Sequence, residues 1–227
     1  MSDLRALLVR YQALLSEVDN WFLRCSLAAG DAVACRRGCS ACCRGLFDIT
    51  LLDAFLLKDG FDRLPPAKQK QVGRAAYSRV TQIRLFWPDF DHPYLLNLHP
   101  EEEWERLMPE EDETACALLG DDGLCLVYEN RPMTCRLHGV PMVDESGEVL
   151  FDEWCSMNFT HCDPLQMQAL QAPFNAIFYQ EQLLFREFTR QLLGQPFNEL
   201  DTLIPAAVFI DFDHFILPEP LWNRSPS

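Results

Sequence analysis

The chain has 227 residues, 48% of them hydrophobic, a formal net charge of −15 and a sequence pI near 4.6. That length carries a full hydrophobic core, so a metal is not needed to replace a missing one as it is in a zinc finger. The acidic balance argues against nucleic acid and anionic membrane surfaces as partners, because both are held by positive charge.

Residues 3–29 predict one long amphipathic helix. Leu4, Leu7, Leu8, Tyr11, Leu14, Leu15, Val18, Phe22 and Cys25 recur at helical spacing, Ser2 or Asp3 can cap its start, and Gly30 fits its stop. A cysteine loop follows at 35–44. A short helix is expected to enter at Asp48 or Thr50 and to run through Leu51, Leu52, Phe55 and Leu56 to Gly60. Pro65 and Pro66 open another over 66–86, with Val72, Ala76, Val80, Ile83 and Phe86 on its apolar side; a proline in the first turn gives up only an N–H that has no helical partner. Residues 87–113, with four prolines and an acidic run from Glu101, read as irregular, and 110–113 as a solvated acidic face.

From Ala115 the period shortens. Ala115–Leu119 and Leu124–Tyr128 predict a hairpin around Gly-Asp-Asp-Gly, and His138–Val143 with Glu148–Trp154 a second one. Pro173 opens a last helix over 174–193, ended by Gly194, and the segment from 218 on reads as a flexible tail. The fold expected is mainly α with small β hairpins. It is a single domain over 1–227, with an irregular cysteine-cluster metal-binding core at 30–165 and helical flanks at 1–29 and 166–217.

The N-terminus, Met-Ser-Asp-Leu-Arg, has no basic segment followed by an apolar run of signal length, and the apolar stretch Leu203 to Ile210 is too short to span a bilayer. A cytoplasmic chain is expected, in which thiols stay reduced and ten cysteines point to metal rather than to disulfides. Cys35, Cys39, Cys42 and Cys43 are spaced C-x3-C-x2-C-C, and Cys116, Cys125, Cys135, Cys155 and Cys162 follow downstream. Thiolates are soft ligands that favour zinc, Cu(I) and iron–sulfur clusters, and four in one loop converge with little chain-closure cost. Cys39 and Cys42 can grip one metal from a tight turn while Cys35 reaches the same ion from the loop entry. Cys42 and Cys43 are harder to combine, because consecutive side chains diverge: one alone ligates, or the two serve neighbouring metals, or one thiolate bridges. A closed zinc site and a [4Fe–4S] cluster both take four thiolates, so spacing leaves the metal open. Arg36, Arg37 and Arg44 flank the first group, and Arg131 and Arg136 flank Cys135; they can stabilise thiolates or simply pair with surface carboxylates. Cys25 falls on the apolar stripe of the first helix and reads as a core thiol.

The stretch from Cys116 to Arg136 follows the pattern C-x-x-L…G-x-C-x-x-Y-x-x-R-P-x-x-C-R. With C-x3-C-x2-C-C at 35–43, it resembles the YkgJ-type cysteine cluster family of zinc- or iron-chelating proteins, over roughly residues 35–155. Carried over by position, the resemblance implies Cys35, Cys39, Cys42, Cys43, Cys116, Cys125, Cys135 and Cys155 as metal ligands. That is enough for two four-coordinate sites, or for one cluster with reserve thiols. It implies Tyr128, Arg131, Pro132 and Arg136 as residues that shape the loop or hydrogen-bond to metal-bound sulfur.

His161 with Cys162, and His138, are weaker candidate ligands; His92, His99 and His214 have no partner spacing. Asp211, Asp213 and His214 form a short acidic run that a turn explains as well as a hard-cation site. No nucleotide loop, nucleophile elbow or zinc-protease motif is present. The function expected is a metal-binding protein carrying a cysteine-ligated centre, with an iron–sulfur cluster favoured over zinc. Its role would be electron transfer, metal handling or maturation of a protein partner. Two alternatives stand beside it. One is an iron–sulfur-dependent protein-modifying enzyme, since a related cysteine signature occurs in flagellin lysine-N-methylases; Cys35, Cys39 and Cys42 also match the radical-enzyme spacing C-x3-C-x2-C, but without the barrel that accompanies it. The other is an interaction protein with structural zinc.

Overall fold

The computed structural model describes residues 2–109 and 111–222. The described residues are 53% helical and 8% strand, with small sheets, so the mainly α class with small β elements holds. Two compact units are formed from discontinuous segments. The first runs to Cys42 and resumes over Met133–Leu184; the second holds Cys43–Pro132 and everything described from Phe185 on.

In the first unit, α1 (Ser2–Ala29) buries Leu7, Leu8, Tyr11, Leu14, Leu15, Val18, Trp21 and Cys25, and Gly30 leaves the helix at φ +56°. Each large apolar side chain fully buried in this way contributes about 1.5–3 kcal/mol before the entropy of ordering it is set against that gain. Trp21 combines both needs of a buried indole: its ring meets Phe174 edge-on at 4.9 Å and its Nε1–H donates to the Leu170 carbonyl at 2.8 Å. Against α1 packs α5 (Met133–Leu137), whose buried Arg136 pairs with Asp19 of α1. A three-stranded sheet closes the unit, with β2 (Met142–Asp144) antiparallel to β3 (Val149–Phe151) and parallel to β4 (Gln171–Ala172). The second predicted hairpin is therefore present, with strands at 142–144 and 149–151 where 138–143 and 148–154 were expected. Asp144 accepts from the backbone N–H of Ser146 in the hairpin turn and of Asn175 at the start of α6 (Phe174–Leu193), each at 3.0 Å. These bonds favour the ionised carboxylate and hold its pKa down at about 2.

In the second unit, β1 (Asp48–Thr50) pairs antiparallel with β5 (Asp201–Leu203). Thr50 then caps α2 (Leu51–Asp62) by accepting from Asp53 N–H at 3.1 Å. Helix α3 occupies Pro66–Phe86 as expected and buries Val72, Ala76, Val80 and Ile83. Phe86, expected on the same face, is exposed because it ends the helix at the rim of a cleft of about 330 Å³ lined also by Leu46, Ile83 and Leu107. The region read as irregular contains α4 (Glu101–Leu107). Three glutamates in its first turn complement the helix dipole, and Trp104 and Leu107 dock into a core with Val80, Ile83, Trp87, Phe90 and Leu96. Asp112 is not part of a solvated acidic face either, since it pairs with Arg79; Glu110 lies outside the described residues. The hairpin expected over 115–128 is shortened to 118–126, where Leu126 N–H donates to the Leu118 carbonyl at 2.9 Å and Gly120 N–H to the Leu124 carbonyl at 2.8 Å around the Leu119–Cys125 bridge, because residues 114–116 pair instead with 43–45. Of the segment read as a tail, 218–222 carries a helical turn, α7 (Glu219–Trp222), anchored by buried Leu221 and by Trp222 donating to the Leu217 carbonyl at 2.9 Å. Residues 223–227 lie outside the described residues.

Candidate metal centre

The ten cysteines are thiols that sort by exposure. Cys25 is buried and Cys162 exposed, while Cys35, Cys39, Cys42, Cys43, Cys116, Cys125, Cys135 and Cys155 are all half-buried. Cys25 donates to the Ala169 carbonyl at 3.2 Å, and burial, the largest influence on it, pushes its pKa up to about 12. It is a core thiol, as its place on the apolar stripe of α1 suggests.

In the first unit, α1 and the turn after it deliver the chain to Cys35. The loop then turns back on itself, with Cys39 N–H donating to the Arg36 carbonyl at 2.8 Å. Cys155 reaches the same place from the strand β3 side. A point one carbon bond out from Gly139 Cα lies 3.2 Å from Cys35 Sγ and 3.9 Å from Cys155 Cβ, so these two cysteines stand against one another across Gly139. Gly139 has φ +108°, which L side chains rarely adopt, and a Cβ would press on the Cys35 sulfur. The pKa of Cys35 is raised, chiefly by burial; the hydrogen bond from Asn158 opposes this, and the neighbouring Cys39, Cys155 and Cys42 add to it as like charges. Those three are therefore its close electrostatic neighbours. Cys135 lies on α5, four residues before Gly139, and burial lowers the pKa of His138 beside it.

Asn158 was not foreseen from the sequence. It is 1% exposed, and its amide contacts Ala34 N, Gly139 O and Cys35 Sγ. Its only sequence signal is its place three residues after Cys155, which no metal-ligand spacing rule singles out.

The second unit organises its cysteines by backbone pairing. Cys116 N–H donates to the Cys43 carbonyl at 2.8 Å, Arg44 bridges Ala115, and Gly45 N–H donates to the Thr114 carbonyl at 2.9 Å. Leu119 N–H returns to the Cys116 carbonyl at 3.0 Å and Leu119 bridges Cys125, so Cys43, Cys116 and Cys125 lie on one small backbone frame. Arg44 ion-pairs with Glu113 at 3.4 Å, the bland outcome for that cation, while Arg36 and Arg37 are exposed. In the Tyr-Glu-Asn-Arg-Pro segment, the Arg131 guanidinium lies 3.8 Å from the centre of the Tyr128 ring and its Nε donates to the Tyr128 carbonyl at 3.2 Å; Pro132 is buried. Neighbouring Asn130 is buried and donates to the Leu56 carbonyl at 2.9 Å, which locks the segment to α2. Arg136 pairs with Asp19.

Among the described residues, no group of three or more Cys, His, Asp or Glu side chains stands at metal-ligating geometry. The donor chemistry fits a soft metal: neighbouring half-buried thiols, an amide donor on one sulfur and a glycine that leaves the sulfur room. Elsewhere, His161 is exposed, and Asp211 accepts from Asp213 N–H, His214 N–H and the His214 ring, which is a surface turn. Among the described residues no helix is long and apolar enough to cross a membrane.

Residues 34–156, more than half of the chain, match the CxxCxxCC family, whose description reads "putative zinc- or iron-chelating domain". The chain belongs to this family. The match includes all eight half-buried cysteines and agrees with the resemblance drawn from the motif at 116–136. No curated protein and no solved structure matches the chain.

Proposed function

We propose that this zinc- or iron-chelating domain binds metal through its eight half-buried cysteines in two sets. Cys35, Cys39, Cys42 and Cys155, with Cys135 in reserve, belong to one unit; Cys43, Cys116 and Cys125 belong to the other. The observation that carries this is the meeting of Cys35 and Cys155 across Gly139, 120 residues apart in sequence, beside the C-x3-C-x2-C loop. The boundary between the units falls between Cys42 and Cys43. Of the three options for adjacent cysteines, this favours their serving different metals, because consecutive side chains point apart.

The first set offers four thiolates, which suits a [4Fe–4S] cluster or a closed zinc site. Four thiolates satisfy either centre; we favour the cluster, with Cys135 of the same unit as a reserve thiol beside it. Such a centre supplies reversible one-electron chemistry. The chain's own residues would hold it, exclude water from it and donate a hydrogen bond to a ligating sulfur. Electron transfer, metal handling or maturation of another protein in the cytoplasm is the role that follows. The test is anaerobic purification with iron, zinc and acid-labile sulfide analysis beside an absorption spectrum. Iron with sulfide and a broad visible band is expected; zinc without sulfide would remove the cluster, and no bound metal would remove the proposal.

A further inference from the structure

We infer that Asn158 is a positioning residue for the first thiolate set: its buried side-chain amide fixes the Cys35 sulfur and ties together the three chain segments that carry or flank the ligands. This rests on the chelation proposal above and deepens it.

The geometry leaves little freedom. Asn158 Oδ1 accepts from the Ala34 backbone N–H at 2.8 Å, and that N–H can only donate, so the oxygen end of the amide must face it. The nitrogen end is then turned toward the Gly139 carbonyl at 2.6 Å, which can only accept, and toward Cys35 Sγ at 3.2 Å. The amide orientation, ordinarily an assignment, is thus dictated by its partners. Both amide protons are used. Asn158 N–H also donates to the Cys155 carbonyl at 2.8 Å, and Cys155 N–H reaches the Gly139 carbonyl at 3.3 Å. One side chain therefore links the entry to Cys35, the turn after Cys135 and the turn that begins at Cys155. A buried amide that spends one donor on a thiol, where a carbonyl or water would bond more strongly, gains most when that sulfur is an anionic thiolate. Metal ligation keeps a sulfur in that state. Donors of this kind orient ligands and set metal affinity and cluster potential.

The experiment uses the full chain, stripped of metal under reducing anaerobic conditions and titrated with cobalt(II), whose thiolate charge-transfer band reports sulfur ligation. Asn158→Asp keeps the shape and the acceptor for Ala34 N–H but replaces both donors by a negative oxygen. With the fold verified by circular dichroism, the variant is expected to bind cobalt about 10–100-fold more weakly. It is also expected to shift the charge-transfer band of the cobalt that remains bound. A purely structural asparagine would lower occupancy and leave the band where it is. In Cys35→Ser, adding Asn158→Asp is expected to produce no further band shift. An unmoved band in Asn158→Asp, or a shift that persists without Cys35, overturns the inference while leaving chelation standing. If wild type gives no thiolate band at all, chelation and this inference fall together. Should Asn158→Asp not fold, wild type loaded with cadmium-113 decides: scalar coupling from the metal to the Asn158 amide protons supports the inference, and its absence overturns it.

Discussion

The two proposed cysteine sets rest on different kinds of framework. In the first unit, a single buried side chain from the far end of the cysteine region, Asn158, reaches back to Ala34, Cys35 and Gly139. In the second, Cys43, Cys116 and Cys125 are held by backbone hydrogen bonds between short extended pieces and a turn. A frame made of backbone tolerates most side-chain changes, whereas one made by a specific amide fails with that residue. The first set should be sensitive to single substitutions outside its ligands, and the second resistant to them.

The largest effect is expected from the ligands themselves. Cys39→Ser should empty the first set and leave the second loaded, seen as a partial loss of bound metal per chain; complete loss would merge the two sets into one. Next comes a pair of glycines. Gly139→Ala forces a Cβ against the Cys35 sulfur at a φ of +108°, and should cost about 1–3 kcal/mol of stability together with first-set metal. Gly60→Ala places its Cβ 2.7 Å from Asn130 in the second unit. It should lower the unfolding midpoint although alanine favours helix by about 1 kcal/mol, yet leave metal content unchanged. Equal metal loss in both glycine variants would erase the contrast.

A smaller effect concerns pH. Asp201 on β5 is largely buried and lies near Glu199 and Asp48; burial, the dominant cause, pushes its pKa from 3.8 up to about 7, against the hydrogen bond from Asn97. The folded state thus holds a proton that the unfolded chain releases above pH 4. The stability this gives is present near pH 4 and is lost as pH rises through 7. Unfolding midpoints should fall between pH 5 and pH 8, and Asp201→Asn should flatten that fall; identical slopes in both proteins would refute it. The smallest effect is local. Thr50→Ala removes the cap of α2 and should cost about 1 kcal/mol in denaturant unfolding, with no change in metal.

Long helices were legible in the sequence because many turns repeat one apolar spacing: α1, α3 and α6 fall within a residue of their expected bounds. The β1–β5 pair was not, since three-residue strands show no alternation and their partners lie some 150 positions apart. The same limit applies to the candidate site. Cysteine spacing marked the half-buried thiols because ligand type and loop length are local properties. Asn158 and Gly139 acquire their meaning only when Cys35 and Cys155 are brought together.

Cys42 and Cys43 offer the most direct test, as neighbours in sequence assigned to different centres. Metal content of anaerobically purified Cys42→Ser, Cys43→Ser and the double variant should show each single change removing a separate fraction and the double removing both. If either single substitution strips all the metal, or neither removes any, the two-set account is wrong.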